Sequence, residues 1–393
     1  MRAVAILVVM MSACAYDALD GDVGDTDVPA AAEGLADDGT AIITIDPSEP
    51  TLSLDAPREV LDIPETVVPR QWSFAVLSDL HLPNPRSANI DRTVAALIEL
   101  GVRFVVVTGD HTNGSAIVDH RKARARAWWN SVSNALAPLR EAGIAVLPIA
   151  GNHDTYLAWH RDGYEQAFGD LARWAAPLTI RPAAGHGFAR APYSYSVDVD
   201  GVHLSLANIV DQNVDRDVQA WLTEDLATPA AQAARVRMVF GHVPLFSVIR
   251  RPPRGFVEQL GGILARGNVD FYVAGHEHVT WDETFSVAAT PGASRSLRQV
   301  TVGCSSGFYV FAPSKAARTR ASCEPSRDAG ARGGMRCTMP NGGRFELVRD
   351  RSQRLIEHDS ATFTVFTVTG DDVQVTPMTV DDEGRPASFY LAD

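Results

Sequence analysis

Carboxylates, imidazoles and one carboxamide recur along the chain in five short clusters. These are Asp79-Leu-His81, Gly109-Asp110, Gly151-Asn152-His153-Asp154, Gly241-His242 and Gly275-His276-Glu-His278. Six of the eleven histidines lie in or beside them: His81, His111, His153, His242, His276 and His278. Taken singly, each cluster is ordinary turn chemistry, since a Gly-His or Gly-Asp after an apolar run usually marks a hydrogen-bonded turn. Taken together they form a donor set. Carboxylate, imidazole and amide oxygen suit borderline divalent metals such as zinc, manganese, iron or nickel. The donors outnumber what a single four-coordinate ion with an open position can use. They fit two ions, about 3.5–4 Å apart and sharing a carboxylate, that clamp the attacking and leaving oxygens of a displacement at phosphorus.

Each cluster stands at the end of an apolar run. WSFAVLSD (72–79), FVVVTGD (104–110), IAVLPIAGN (144–152), VRMVFGH (236–242) and VDFYVAGH (269–276) have the length of strands. Helical apolar spacing fills 87–100, 120–142, 215–226 and 256–266 between most of them. Alternating strands and helices predict an α/β domain with largely parallel strands. In open α/β sheets, ligands gather at the carboxyl ends of the strands, where connecting loops converge. Further on, 279–287, 297–304, 361–368 and 372–380 read as antiparallel strands, the last two joined through Gly370-Asp371-Asp372. Residues 305–343 form a long turn-rich insertion in need of a staple. Cys323 with Cys337 is the first-choice disulfide, and pairing of Cys304 with either stays open.

Asp-x-His, Gly-Asp, Gly-Asn-His-Asp, Gly-His and Gly-His-x-His, in that order over about residues 72–280, resemble the calcineurin-like metallophosphoesterase superfamily. The resemblance implies an α/β fold, a four-layer αββα sandwich of two mixed β-sheets within 70–393, with the site at the strand ends between the sheets. It implies two metal ions (manganese, iron or zinc), with Asp79, His81 and His278 on the first, Asn152, His242 and His276 on the second, and Asp110 bridging. His153 then approaches the scissile phosphate and protonates the leaving group, and Asp154 orients it by a hydrogen bond. The nucleophile is a metal-bridging hydroxide whose pKa both ions lower. Purple acid phosphatases have Asp-x-Gly in the first motif and a tyrosine three places after the second motif's Asp. Here those positions hold His81 and Asn113, so an iron–tyrosine site is not expected, and Gly-Asp-His-Thr-Asn looks closer to the bacterial phosphodiesterase-type branch. His111 is unusual there, suited either to substrate phosphate or to a hydrogen bond behind the ligands.

Residues outside the motifs would choose the leaving group. Tyr156, Trp159 and Tyr164 either form a stacking face or pack within a helix. Arg250, Arg251 and Arg254 are either solvated or contact an anion. Gln219-Ala-Trp221-Leu222 is similar to a helix of that branch, and reads on its own as an amphipathic helix with Trp221 in the core. His120, His160, His186, His203 and His358 read as structural or surface residues.

Charge and the first residues speak to compartment. Between Tyr16 and Pro69 stand fourteen acidic residues and one basic residue, Arg58, which accounts for the whole net charge of −13. Such a segment, 15–69, reads as an acidic flexible tether. The body behind it is electrically balanced and offers no broad basic track for nucleic acid. Met1–Cys14 has a positive start, an apolar run and small residues before Cys14, the pattern of a signal peptide with a bacterial lipobox. No apolar run reaches the roughly 18–20 residues of a bilayer span. The expectation is an exported lipoprotein of the bacterial cell envelope, anchored at Cys14. It would act on small-molecule phosphate esters, diesters before monoesters. The alternatives are a phosphomonoesterase or nucleotidase, and a surface binding protein that has lost catalysis.

Overall fold

Three short parallel strands with helices between them begin the described chain: β1 (Trp72–Leu77), α1 (Ala88–Leu100), β2 (Phe104–Val107), α2 (Lys122–Glu141) and β3 (Ala145–Pro148). Side chains alternate strictly across these strands, as a pleated backbone requires. Phe74, Val76, Phe104, Val106, Ala145 and Leu147 point into one core. Ala75, Leu77, Val105, Val107 and Val146 point into another, beneath the helices. There α1 presents Ile90, Val94 and Leu97, and α2 presents Trp129, Val132, Leu136 and Leu139, at steps of three and four residues.

The chain then turns through α3 (Asn152–Thr155), α4 (Ala158–Phe168) and α5 (Leu171–Ala175) into β4 (Ile180–Ala184), β5 (Arg190–Val199) and β6 (Val202–Leu206). These three strands were not legible in the sequence. After α6 (Arg216–Leu226) and α7 (Pro229–Ala233), β7 (Val236–Phe240), α8 (Arg254–Arg266) and β8 (Phe271–Ala274) repeat the strand–helix alternation, and β9 (Trp281–Thr290) and β10 (Ala293–Thr301) form a hairpin. The order of this second sheet is β4-β5-β6-β7-β8-β10-β9, parallel from β6 through β10 and antiparallel outside them.

Two later strands, β15 (Thr362–Thr369) and β16 (Asp372–Val380), with β17 (Pro386–Ser388), complete the first sheet as β17-β16-β15-β1-β2-β3. Both sheets are thus mixed. Their facing sides share one core: Met238, Phe240, Val273 and Val300 meet Phe74, Val106 and Phe366. Phe74 stacks between Phe104 at 4.7 Å and Phe366 at 4.9 Å, tying three adjacent strands. Its truncation to alanine would cost about 3–5 kcal/mol. The outer face of the second sheet carries α6 and α8 through Leu222, Leu226, Leu260 and Leu264. Helix, sheet, sheet, helix is the four-layer arrangement.

Between β10 and β15 lies a third, antiparallel sheet: β11 (Glu324–Ser326), β12 (Gly334–Thr338), β13 (Arg344–Arg349) and β14 (Leu355–Glu357). The turn-rich stretch therefore carries strands, and its sheet runs past residue 343 to Glu357. It packs on Val248, Val279 and Trp281. Cys323 and Cys337 are joined in a disulfide, and Cys304 is buried outside it, its thiol donating to the Asp79 carbonyl at 3.0 Å. All these strands belong to one compact unit, Thr66–Asp393.

A computed structural model describes residues 71–84, 88–115, 122–249, 251–290, 292–307, 322–326, 333–349, 355–357, 361–381 and 383–391. The expected signal peptide (1–14) with Cys14, the acidic tether (15–69), His120, Arg250, His358 and parts of the 305–343 insertion lie outside the described residues.

Candidate metal centre

The parallel strands of both sheets stop at one edge, and the backbone turns sharply where each one ends. Among the described residues eight non-glycines have positive φ, and five of them are expected ligands: Asp79 (55°), His81 (45°), Asp110 (52°), His276 (68°) and His278 (56°). The left-handed region costs such residues about 1–2 kcal/mol each, so the surroundings must hold them there. Cross-ties between the loops do so. The Asp79 amide donates to the Gly109 carbonyl at 3.1 Å, the His81 amide to the Asp110 carbonyl at 2.9 Å, and the Gly275 amide to the His242 carbonyl at 2.9 Å. Gly109 sits at φ 101°, and a Cβ there would lie 2.7 Å from the Gly151 backbone and from His242 Nδ1. Only glycine lets these three loops meet.

Each ligand uses one atom for support and turns another inward. Asp79 Oδ2 accepts from the Ser78 hydroxyl at 2.6 Å and the His276 amide at 2.9 Å. Its buried Oδ1 accepts no hydrogen bond, and lies 3.3 Å from His278 Nε2 and 3.8 Å from His81 Nε2. Asp110 Oδ1 accepts from the His153 amide at 2.8 Å, which leaves Oδ2 facing His242 Nε2 at 3.3 Å and His81 Nε2 and His153 Nε2 at 3.8 Å. His242 Nδ1 meets the Thr108 carbonyl at 2.8 Å, so Nε2 is the inward nitrogen. Asn152 Oδ1 lies 2.9 Å from that nitrogen and 3.0 Å from His276 Nδ1.

These separations fit a cation. Ligand atoms about 2.1 Å from a metal, at the angles of tetrahedral or octahedral coordination, lie about 3.0–3.4 Å from one another. His81 Nε2 and His278 Nε2 are 3.0 Å apart, and His242 Nε2 and His276 Nδ1 are 3.3 Å apart. Asp79/His81/His278 and Asp110/His242/His276 are each gathered tightly enough to hold an ion, and His81/Asp110/His153 joins the two groups. A buried carboxylate oxygen without a hydrogen bond, among imidazole nitrogens that crowd each other, is what a cation would relieve.

Electrostatics favours the binding forms of most of these groups. Burial alone would raise the Asp79 carboxyl, but the His278 imidazole beside it wins and pulls it down to about 2. Burial likewise opposes ionisation of Asp110, and His242 and His153 hold it well below the carboxylate range. Burial, then the neighbouring imidazoles of His153 and His278, pushes His81 down to about 3, and burial with His242 does the same to His276. His242 goes up to about 9, because Asp110 outweighs burial there. Ionised carboxylates and neutral imidazoles are what a divalent ion requires; at His242 an ion would compete with a proton.

The expected hydrogen bond from Asp154 to His153 is not formed. Asp154 is fully buried and already saturated by donors. Oδ2 takes the Gly151 amide at 3.0 Å, the His111 amide at 3.2 Å and His111 Nδ1 at 2.9 Å, and Oδ1 takes the Thr112 amide at 3.1 Å. It therefore clamps the loop after β2 to the loop after β3. His153 instead turns Nδ1 to the Gly114 carbonyl, with Nε2 toward the centre and its side chain 30% exposed. His111 is resolved in favour of the hydrogen bond behind the ligands, boxed in by Trp129, Tyr164 and Phe168.

Gly114 was not legible as a site residue, because it acts through its backbone. A Cβ there would lie 2.1 Å from the His153 carbonyl oxygen. Ser78 and Thr108 also escaped notice; a hydroxyl or carbonyl supporting a ligand leaves no mark of its own in a sequence. Of the three aromatics after the third motif, Tyr164 is buried, with its hydroxyl near the Pro148 and Pro192 carbonyls, and Trp159 is half-buried. Tyr156 alone is exposed beside the centre. Arg251 is exposed, and Arg254 pairs with Glu258 at 2.6 Å. Trp221 packs partly into the core under α6. His160 and His203 are buried and His186 is exposed.

The profile of the calcineurin-like phosphoesterase family matches residues 73–280, which contain every candidate ligand of this centre. The chain belongs to that family. It is a metal-dependent phosphoric ester hydrolase. No curated protein sequence matches the chain closely enough to count as a relative. Among solved structures, purple acid phosphatase PPD1 from yellow lupin seeds shares the fold at a TM-score of 0.50 and 14% identity, over 81% of this chain. The chain spans about half, 53%, of that enzyme. GAP50, the anchor in the inner membrane complex of Plasmodium, aligns at TM-score 0.48 and 13% identity, over 82% of this chain and 90% of its own. A dimetal phosphatase from Danio rerio aligns at 0.40 and 15%, over 59% and 87%.

Proposed function

We propose that the chain is a dinuclear phosphoesterase that prefers phosphodiesters and works outside the cytoplasm, held to a membrane by a lipid on Cys14. The observation that carries the dinuclear reading is Asp110 Oδ2, which lies between the Asp79/His81/His278 group and the Asn152/His242/His276 group and within 3.8 Å of imidazoles from both. Asp79, His81 and His278 would hold one ion, and Asn152, His242 and His276 the other, with Asp110 shared. When bound, such ions supply a nucleophile at neutral pH and neutralise charge at phosphorus.

The chain's own residues do the rest. Asp110 holds its inward oxygen in place through the His153 amide. His153, with Nδ1 held on the Gly114 carbonyl, keeps Nε2 at the centre and open to solvent. In its protonated form it can deliver the Nε2 proton to the departing oxygen and recover one from water. The diester preference rests on Gly-Asp-His-Thr-Asn (109–113), with Asn113 in the place of a purple acid phosphatase tyrosine. The compartment rests on Met1–Cys14 and the acidic stretch after it.

The test is hydrolysis of bis(4-nitrophenyl) phosphate and 4-nitrophenyl phosphate after metal stripping and reloading with manganese, zinc or iron, with His153→Ala as blank. Faster diester turnover, abolished by chelator, is the expected result. Faster monoester turnover would replace it with the phosphomonoesterase or nucleotidase reading. Turnover of neither under any metal would leave a binding protein.

A further inference from the structure

We infer that Tyr156 is a positioning and specificity residue of this centre, an assignment that rests on the phosphoesterase reading above. Its hydroxyl would set the second ion's amide ligand, and its ring would select planar leaving groups such as aryl or nucleoside moieties.

The hydroxyl end concerns the direction of an amide. Tyr156 follows Asn152 by four residues and His153 by three, so one helical turn puts all three on the same side. Asn152 Nδ2 donates to the Tyr156 hydroxyl oxygen. Its Oδ1 then faces His242 Nε2 at 2.9 Å and His276 Nδ1 at 3.0 Å. A carboxamide has one accepting end and one donating end. Turned over, it would aim N–H at the place a cation must occupy. In the orientation observed, the Tyr156 oxygen accepts from Nδ2 and anchors the outer end of the amide while Oδ1 faces inward, as supporting partners of metal ligands commonly do.

The ring end concerns the substrate. Tyr156 is 41% exposed, and it is the one aromatic among the large apolar side chains described as exposed. Its ring meets that of His153 edge-on, with centroids 5.3 Å apart. His153 is the group that faces the leaving oxygen, so whatever that oxygen carries departs past Tyr156. Trp159 and Tyr164 are half-buried and buried, which leaves Tyr156 as the exposed stacking face of the three.

Two variants of the full chain separate the two ends. Tyr156→Phe keeps the ring and loses the hydroxyl, and Tyr156→Leu loses both. Manganese binding to the stripped protein is followed by calorimetry, and KM is measured for bis(4-nitrophenyl) phosphate and for glycerophosphocholine, an alkyl diester. In Tyr156→Phe the weaker manganese site should bind about ten-fold less tightly, with both KM values unchanged and kcat restored by excess manganese. In Tyr156→Leu the KM for the aryl ester should also rise about five-fold, in line with the loss of one aromatic contact, while that for the alkyl ester stays put. A wild-type manganese titration in Tyr156→Phe would overturn the positioning role. Equal KM changes for both esters in Tyr156→Leu would overturn the selecting role. A wild type that binds manganese and hydrolyses neither ester would sink the phosphoesterase reading and the leaving-group role with it, while the titrations would still decide the positioning role.

Discussion

Among the described residues, two clusters of histidine and aspartate are finished in opposite ways. Under α6, His203 sits between Asp198 at 2.7 Å and Asp225 at 3.0 Å, and the hydroxyls of Ser196 and Ser205 each donate to Asp225 at 2.7 Å. Both ring nitrogens and both Asp225 oxygens have partners, and none of these five residues is held at positive φ. At the strand ends, Asp79 Oδ1 accepts no hydrogen bond, imidazole nitrogens face one another, and five of the ligands are held at positive φ. The residue types are the same. What separates a structural tie from a metal centre is whether the polar atoms satisfy one another or are left facing a common point.

Removing Asp110, the carboxylate proposed to be shared, is the hardest way to break that contrast. Asp110→Ala should lose both ions, as read by metal analysis, and more than about a thousand-fold in turnover. Full metal content and activity in that variant would end the two-ion assignment. His153→Ala should keep its metal and lose about 10²–10⁴ in kcat, the range for general acid catalysis. Metal loss equal to that of Asp110→Ala would make His153 a ligand. Gly114→Ala pushes a methyl against the His153 backbone and should lower kcat about ten-fold or more with metal content retained, since the proposed general acid would lose its geometry. An unchanged kcat would remove the Gly114 carbonyl from the account.

The smallest effect on activity belongs to the other cluster. His203→Ala should leave metal affinity and kcat alone and cost about 3 kcal/mol in urea unfolding, because it removes the imidazole partner of the buried Asp225 carboxylate and leaves it the two serine hydroxyls and Arg181 at 3.7 Å. Its pH dependence has a definite sign. Burial opposes charge on His203, but the bonds to Asp225 and Asp198 win and raise its pKa above 6.5. That stabilisation is complete below the ordinary imidazole value and is lost as pH climbs through the raised one. Asp225 is shifted the opposite way: burial opposes it, and the His203 and serine hydrogen bonds lower it below 3.8, so its share is lost as pH falls through the lowered value. The gap between wild type and His203→Ala should therefore be widest near pH 5–6 and narrow as pH rises beyond the imidazole range. A gap that widens at high pH would show that His203 is not charged in the fold.

The same contrast explains what could be read in advance. The clustered donors were legible because each follows a strand, and strand, turn and donor are neighbours in sequence: WSFAVLSD ends on Asp79 as directly as VRMVFGH ends on His242. The partners of those donors were not. Asp154 lies beside His153 in sequence, yet it bonds His111, forty-three residues away, because the loop after β2 packs onto the start of α3. β4 and β11 escaped because they are short and largely exposed, with no apolar alternation to announce them.

The sequence by itself determined the donor types, their order, the alternation of strands and helices that brings them to one edge, and the pairing of Cys323 with Cys337 as the first choice. These depend on local periodicity and on residue chemistry. Only the tertiary structure decided which oxygen of Asp79 and Asp110 turns inward, which carbonyl holds His153, and which of three aromatics reaches the site. Those outcomes depend on hydrogen bonds between loops far apart in the chain, and on a backbone held in left-handed turns that no single segment would adopt alone.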